Sequence, residues 1–370
     1  MESEAKTLIK VWSIIFASLC YSYFIVSKLP LGKSRLISIL PLIYLYTILP
    51  LYLSSKLLIG ITSFFITWLT TFKLILLSYN LGPLTTPSIL DHTENQRKGS
   101  DVRSLENDRR QTIKSFPKFV FIAAFPVKGK DPFAPTKKPT KVVPLNLWSE
   151  ALISSILIAV CDRYKQKIHP GGILVIYGFL LYFLVDVIIG IANKLVGSIV
   201  DVELIQPSNE PYLATSIQNF WGQRWNLMVT DTLRNTVYKP TRVFLSNYIG
   251  NGWAISIAMT TSFFVSGLMH ELIFYYLTRV SPSWEITWFF VLHGLCVVLE
   301  VALKKALGRT VRFHWAITGP LTIGFVLGTA YLWFFPPLVR NEVDVRTIEE
   351  FKSLYEFIKG KFVWNSTALL

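Results

Sequence analysis

The sequence has 370 residues, of which 52% are hydrophobic and 14% aromatic, and its formal net charge is +14 at pH 7. Its mean hydropathy of +0.44 exceeds that of ordinary water-soluble domains. The composition therefore argues against a soluble globular protein and predicts an all-α polytopic membrane protein. The spacing of Cys20, Cys161 and Cys296 fits neither a disulfide framework nor a zinc site, so we expect no bound metal.

Runs of apolar residues define the predicted elements in chain order. A helix needs about 20 residues to cross a hydrocarbon core of ~30 Å, and we predict a bundle of about eight such helices, within a range of seven to nine. The first helix is expected to be retained, because no cleavage site follows it. The predicted spans are residues 8–27, 36–53, 57–77, 147–161, 171–196, 253–278, 286–303 and 314–335.

These spans divide the chain into four parts. N-terminal transmembrane helices occupy residues 1–78, a polar loop occupies 79–146, the transmembrane core that would carry catalysis occupies 147–338, and a C-terminal tail occupies 339–370. The composition of the loop favours a mobile connection over a folded domain. Within the core, the partly apolar stretch 212–245 predicts a re-entrant or interfacial helix.

The distribution of Lys and Arg indicates an orientation. Residues 79–146 contain 12 of them, which gives that side of the predicted bundle the larger share. Cytoplasmic loops of membrane proteins carry an excess of these residues. The loop 79–146 is therefore predicted to be cytosolic, and the N-terminus and the C-terminal tail are predicted to be lumenal.

Two polar segments interrupt the apolar core. The first reads Asn-Phe-Trp-Gly-Gln-Arg-Trp-Asn over residues 219–226, and the second places His270 and Glu271 inside the sixth predicted span. Ionisable groups at membrane depth are costly and mark function by default, so these segments form the predicted site. A further pair, Glu300 and Lys304, is spaced four residues apart and predicts a structural ion pair.

His270 is the predicted centre of this site. Ser266 and Gly267 share its helix face and are expected to leave open space in front of the imidazole. Glu271 is rotated by about 100° and is expected to pair with a neighbouring helix, with His293 as one candidate partner. The alternative is structural: His270 could hold two helices together by a hydrogen bond, and the first segment could be an interfacial aromatic anchor.

These motifs resemble the plant wax-synthase branch of the membrane-bound O-acyltransferase family. The chain departs from the family pattern at Asn219, where an acidic residue is common, and at Gln223, where a basic residue is common. The resemblance covers most of the chain and is carried by Glu210-Pro211-Tyr212-Leu213, residues 216–226, Ser266-Gly267-Leu268-Met269-His270-Glu271, Phe290-Val291-Leu292-His293-Gly294 and Glu300.

The resemblance implies an enzyme that moves an acyl group from acyl-CoA to a hydroxyl. His270 matches the catalytic histidine of the family, which would act as a general base. Asn226 matches the asparagine of the family, which would orient the imidazole or donate a hydrogen bond to the reacting carbonyl oxygen. Glu271, Gln218 and His293 are possible supporting residues.

The resemblance also suggests an acyl-CoA site near the first polar segment. Arg224, Lys239 and Arg242 would bind the CoA phosphates, and Trp221 or Trp225 would stack on adenine. Acyl-CoA is expected as a co-substrate, without a permanently bound cofactor. A lipid alcohol and membrane lipids are the other expected partners, nucleic acid is not expected, and the oligomeric state stays open.

The acceptor is left open among three lipid hydroxyls. A long-chain fatty alcohol, which gives a wax ester, is the first choice, a sterol, which gives a steryl ester, is the second, and diacylglycerol is also used by similar sequences. These substrates point to the endoplasmic reticulum. The alternative from another class is a lipid or solute transporter, but transporters often have repeated halves, and neither polar segment has a second copy.

Overall fold

The protein is almost entirely helical in the part of the chain that the computed structural model describes, residues 2–86, 111–127, 145–200, 206–307 and 314–367. In this part the only strands are β1 (Thr85–Thr86) and β2 (Gln111–Thr112), which pair antiparallel. The helices are α1 (Glu2–Phe24), α2 (Lys33–Ile48), α3 (Lys56–Thr62), α4 (Thr71–Ser78), α5 (Phe116–Ala124), α6 (Leu147–Tyr164), α7 (Pro170–Val200), α8 (Ile217–Asn219), α9 (Leu227–Leu233), α10 (Lys239–Ile249), α11 (Asn251–Thr278), α12 (Glu285–Leu307), α13 (Trp315–Thr329), α14 (Pro336–Arg340) and α15 (Val343–Thr367).

Wider π-helical segments interrupt several of these helices. One of them joins α3 to α4, so that Lys56–Ser78 is a single helical stretch, called here the third span. Short 3-10 turns follow α1 and α2 and precede α8. The π-helical segments are Ser63–Thr70, Phe220–Arg224, Arg234–Tyr238 and Ala330–Phe334, and the 3-10 turns are Val26–Lys28, Leu49–Tyr52 and Pro211–Leu213.

Seven helical stretches in the described residues are long and apolar enough to cross a membrane, which lies within the predicted range. The remaining prediction, 147–161, forms the helix α6, which carries the charged residues Glu150, Asp162 and Arg163 and is not among these seven stretches. The seven stretches are Ser3–Lys28, Lys33–Tyr52, Lys56–Ser78, Pro170–Ile199, Asn251–Thr278, Glu285–Leu307 and Trp315–Arg340.

Contacts at both ends of α6 show that it runs the length of the bundle despite its charges. Just before its start, the N–H of Leu145 donates to Glu210 Oε1 at 2.9 Å. Just after its end, Lys165 Nζ lies 2.6 Å from Asp344 Oδ2 of the C-terminal helix α15.

Carboxylates from both ends of the chain cap the third span. Glu350 on α15 accepts hydrogen bonds from the N–H groups of Lys56 at 2.6 Å and Leu57 at 2.9 Å. Glu4 accepts from the N–H groups of Ser54 at 2.8 Å and Ser55 at 2.9 Å. The first N–H groups of a helix have no partner within it. The stretch 339–370, predicted as a tail, is thus largely the helix α15, and it holds the start of the third span.

A buried helix lies where a mobile loop is expected. Residues Phe116–Ala124 form α5, and Phe119 and Ala123 in it are fully buried. Lys73 in the third span, itself only 3% exposed, donates to the carbonyl oxygen of Ile122 at 2.7 Å, near the end of α5. The run Phe-Pro-Lys-Phe-Val-Phe-Ile-Ala-Ala is apolar enough to account for this burial. Residues 87–110 and 128–144 of the predicted loop lie outside the described residues.

Two glycines allow α11 and α12 to pack closely. A Cβ atom on Gly267 would lie 2.9 Å from Thr287 Cα, and one on Gly294 would lie 2.9 Å from Phe263 Cβ. Small residues at such contacts let the backbones of membrane helices approach each other. The expectation that Gly267 leaves open space before His270 is therefore wrong, because the backbone of α12 fills that space.

We expect Gly267→Ala to destabilise the protein by about 1–3 kcal/mol, because α12 must move to make room for the methyl group. The measurement is the thermal unfolding midpoint of the full chain in detergent. Gly324→Ala is the matched control, since a Cβ atom at this helical position meets no atom within 4 Å. Equal unfolding midpoints for the two variants would show that the close contact at Gly267 does not exist.

Candidate active site

A hydrogen bond within α11 fixes the tautomer of His270. Its Nδ1 lies 2.8 Å from the carbonyl oxygen of Ser266. A carbonyl oxygen only accepts, so Nδ1 carries the hydrogen, and Nε2 of the neutral ring carries the free lone pair. Within the described residues Nε2 has no hydrogen-bond partner, and the side chain is partly exposed. His270 therefore offers an unoccupied basic nitrogen.

His293 makes the same local hydrogen bond but differs at the other nitrogen. Its Nδ1 lies 2.7 Å from the carbonyl oxygen of Phe289, and its Nε2 lies 3.4 Å from Thr329 Oγ1 on α13. The side chain is fully buried. The Thr329 hydroxyl also donates to the carbonyl oxygen of Phe325 at the shorter distance of 2.8 Å, so it is the full burial of His293 that favours a structural role.

Aromatic rings from three distant parts of the chain surround His270. The ring of Phe290 on α12 stacks on the imidazole with centroids 4.3 Å apart. Trp68 from the third span lies edge-on at 5.0 Å, and Phe334 from the last π-helical segment lies at 6.1 Å. This surrounding is apolar on several sides. Neither Trp68 nor Phe334 is marked in the sequence, because no charged residue lies within four positions of either one.

Glu271 pairs with the neighbouring helix, as predicted, but not with His293. Its Oε1 accepts a hydrogen bond from the N–H of Thr287 at 3.2 Å. Thr287 lies in the first turn of α12, where backbone N–H groups have no partner within the helix. Glu271, which is only 5% exposed, is therefore a remote cap for α12.

The first polar segment descends into the bundle. The N–H of Gln218 donates to Glu300 Oε2 at 3.0 Å, near the C-terminal end of α12. Trp221, three residues later, contacts the ring of His293 with centroids 5.5 Å apart. His293 precedes Glu300 by seven residues, about 10 Å along the helix. Residues 218–221 therefore descend toward the histidines, in agreement with the predicted re-entrant segment.

The side chain of Gln218 also contacts the C-terminal end of α12. Its Oε1 accepts a hydrogen bond from Lys304 Nζ at 3.1 Å, and Lys304 also forms an ion pair with Glu300. The predicted structural pair of Glu300 and Lys304 is thus confirmed. The predicted supporting residue Gln218 acts here as a link between α8 and the end of α12.

Arg224 donates hydrogen bonds to the side chain of Asn219 and to the backbone of the residues that precede its segment. Its Nε donates to Asn219 Oδ1 at 2.9 Å, and its Nη1 donates to the carbonyl oxygens of Asn209 at 2.9 Å and Glu210 at 3.0 Å. Burial lowers the pKa of the guanidinium, and the charge of Glu210 opposes this shift. Asn219 Nδ2 donates to Gln223 Oε1 at 3.0 Å. The two departures from the family pattern therefore form one neutral hydrogen-bonded pair.

Asn226 adopts a left-handed backbone conformation, with φ of +34°, which asparagine tolerates better than most residues. Its Oδ1 accepts from the N–H of Val229 at 3.2 Å and so caps α9. The side chain is 7% exposed, and its Nδ2 group makes no hydrogen bond in the described part of the chain. No hydrogen bond there joins Asn226 directly to His270.

The two tryptophans of the segment are packed against other rings. Trp225 stacks on Phe220 with centroids 5.7 Å apart. Such surroundings favour a packing role over the predicted stacking on adenine. The rings within 6.3 Å of Trp221 are those of Phe220, Trp225, Phe263, Phe289, Phe290 and His293.

Two of the predicted CoA-binding cations lie on α10. Lys239 Nζ lies 2.8 Å from Asn235 Oδ1, and Arg242 Nε lies 3.2 Å from Asn251 Oδ1. Lys239 is exposed and Arg242 is partly exposed. Neither cation has a carboxylate partner among the described residues, so both keep positive charge available for an anionic ligand.

Comparison with known proteins finds a matching family model and relatives that align over nearly the whole chain. The model of the family described as "Membrane bound O-acyl transferase family" matches residues 206–292. The chain is 35% identical to a long-chain-alcohol O-fatty-acyltransferase of Simmondsia chinensis over 98% of each chain. It is also 35% identical to acyl-CoA–sterol O-acyltransferase 1 of Arabidopsis thaliana, over 95% of this chain and 96% of the relative.

We expect Glu271→Ala to destabilise the protein by about 1–3 kcal/mol, because it leaves the buried Thr287 N–H without a partner. Glu271→Gln should cost less, since its side-chain carbonyl still accepts that hydrogen bond. Thermal unfolding of the purified variants in detergent measures the difference, with the exposed Glu342→Ala as control. If Glu271→Ala melts with the wild type, the capping role is refuted.

Proposed function

The chain belongs to the membrane bound O-acyl transferase family, and we propose that it transfers a long-chain acyl group from acyl-CoA to a long-chain fatty alcohol, forming a wax ester. The observation that carries this proposal is the unoccupied Nε2 of His270 within an apolar ring of side chains. The similarity to the long-chain-alcohol O-fatty-acyltransferase of Simmondsia chinensis supports the choice of acceptor.

The proposed chemistry uses Nε2 of His270 as a general base. It takes the proton of the alcohol as the alcohol oxygen forms a bond to the thioester carbonyl carbon. Negative charge then develops on the carbonyl oxygen. The carbon–sulfur bond breaks, the ester is released, and the CoA thiolate takes the proton from the imidazolium. The hydrogen bond from Nδ1 to Ser266 keeps the ring in the tautomer that this step requires.

Asn226 is the proposed second catalytic residue. Its Oδ1 is held by the Val229 N–H, which orients the side-chain amide, while its Nδ2 group stays without a partner in the described residues. Two roles are consistent with this geometry. The amide would donate to the carbonyl oxygen of the acyl group, or it would act on the imidazole through a water molecule or the substrate.

Lys239 and Arg242 are the proposed contacts of the CoA phosphates. Their carboxylate-free surroundings suit a polyanionic ligand. Arg224 is a weaker choice, because three of its hydrogen bonds already go to Asn219, Asn209 and Glu210. We assign it to shaping the segment that carries Asn226.

A sterol is the second candidate acceptor. It is favoured by the acyl-CoA–sterol O-acyltransferase 1 of Arabidopsis thaliana, which is as similar in identity as the wax-ester relative. The base and the thioester chemistry would be the same for both acceptors.

The test is to express the chain in a host without neutral-lipid acyltransferases and to offer its microsomes labelled acyl-CoA with fatty alcohol, sterol or diacylglycerol. Wax ester is the expected main product, and a chain that esterifies none of the three would contradict the proposal.

In the same assay we expect His270→Ala to abolish ester formation while the amount of protein stays close to that of the wild type. Asn226→Ala should lower the rate at least about tenfold, the effect of losing one transition-state hydrogen bond. His169→Ala is the control, because it removes an exposed imidazole outside the site. An active and well-folded His270→Ala protein would remove the general base from the mechanism.

We also propose that the protein resides in the endoplasmic reticulum, with the end of the bundle that holds Asn247 facing the cytosol. Single cysteines at Asn247 and Ser281, both exposed and at opposite ends of α11, can report this in a cysteine-free background. In sealed microsomes a membrane-impermeant maleimide should label Asn247→Cys directly and Ser281→Cys only after detergent. The reverse pattern would invert the orientation.

A further inference from the structure

Trp68 contains a buried donor that the protein leaves unused. Its side chain is 1% exposed, and its indole Nε1 has no hydrogen-bond partner within the described residues. A buried N–H without a partner costs about 1–3 kcal/mol, and nearly all buried polar groups in proteins are paired. The unpaired indole N–H therefore indicates a hydrogen-bond partner that the resting protein lacks.

The other polar side chains of the same π-helical segment are all satisfied. Ser63 Oγ donates to the Ile59 carbonyl oxygen at 2.6 Å, Thr67 Oγ1 to that of Tyr46 at 2.6 Å, and Thr70 Oγ1 to that of Ala123 at 2.8 Å. The indole is the exception on a segment that otherwise satisfies its donors. Segments of this π-helical kind are also frequent at functional sites.

Trp68 lies next to the proposed base. Its ring and the imidazole of His270 are nearly perpendicular, at 77°, with centroids 5.0 Å apart. The Nε1 atom of Trp221 is likewise buried without a hydrogen-bond partner among the described residues. Trp221, however, contacts His293, which is fully buried and has Thr329 Oγ1 3.4 Å from its Nε2. Of these two indoles, only Trp68 contacts His270, the partly exposed histidine proposed as the base.

We propose that the indole N–H of Trp68 donates a hydrogen bond to the thioester carbonyl oxygen of acyl-CoA bound beside His270. This inference rests on the proposed acyl transfer. The carbonyl oxygen gains negative charge as the alcohol oxygen bonds to the carbonyl carbon, and a donor fixed in an apolar site stabilises that charge without first reorganising. The unused N–H of the resting protein thereby acquires its partner during the reaction.

The proposal predicts that removing the indole N–H lowers catalytic activity without removing any hydrogen bond that stabilises the fold. In the purified full chain, Trp68→Phe should lower kcat at least about tenfold and leave the KM values for acyl-CoA and alcohol within about twofold. Trp12→Phe should leave kcat unchanged, and the fall in the unfolding midpoint of Trp68→Phe should reflect only the lost ring volume, because no existing hydrogen bond is lost. Trp12 is the matched control, since its ring stacks on Phe125 at 5.9 Å and not on His270.

A second variant separates the lost donor from the lost ring volume. Incorporation of 3-(3-benzothienyl)alanine at position 68 keeps the fused rings and replaces N–H by sulfur. It should lower kcat as Trp68→Phe does. Unchanged kcat in this variant, or an effect on KM alone, overturns the proposal. A wild-type chain that forms no ester with any acceptor contradicts the proposed function instead, so the two failures are distinguishable.

Discussion

The whole bundle depends on satisfying backbone groups at the ends of its helices. Within a bilayer no water is available to pair with the free N–H and C=O groups there. This chain meets the requirement with charged side chains from distant segments. Glu350 and Glu271 accept from the first N–H groups of the third span and α12, and Lys73 donates to the end of α5. Arg279 similarly donates to the carbonyl oxygens of Pro50, Leu51 and Leu53.

These caps explain why the general rule about buried ionisable groups was only partly successful. The rule correctly directed attention to His270, whose Nε2 has no partner in the described residues. It did not distinguish Glu271, one residue later, which closes a helix. The difference is one of rotation around α11, and the direction in which a side chain meets its neighbours depends on packing that a single sequence does not contain.

The fold was predictable where one physical signal dominates. Hydropathy located the spans, and the polar segment near Trp221 was identified by its composition. Three features were not accessible in this way. The helix α5 is too short for a span and lies within a polar stretch. The sequence suggests that Gly267 leaves open space before His270, whereas the structure packs Gly267 against Thr287. Trp68 reaches His270 from a span about 200 residues earlier, and no local pattern encodes so distant a contact.

The π-helical segment of the third span changes the rotation of α4 about the helix axis relative to α3. A π-helical turn holds more residues than an α-helical turn, so α4 is not in the phase that α3 alone would impose. The first half, which begins at Lys56, is held by Glu350 of the C-terminal helix α15. The second half directs Lys73 toward α5. Trp68 lies between the two halves. Deleting one residue between Ser63 and Thr70 would restore a continuous α-helix and rotate one half of the span relative to the other. A change of helix length can therefore alter which side chains face His270 without replacing any catalytic residue.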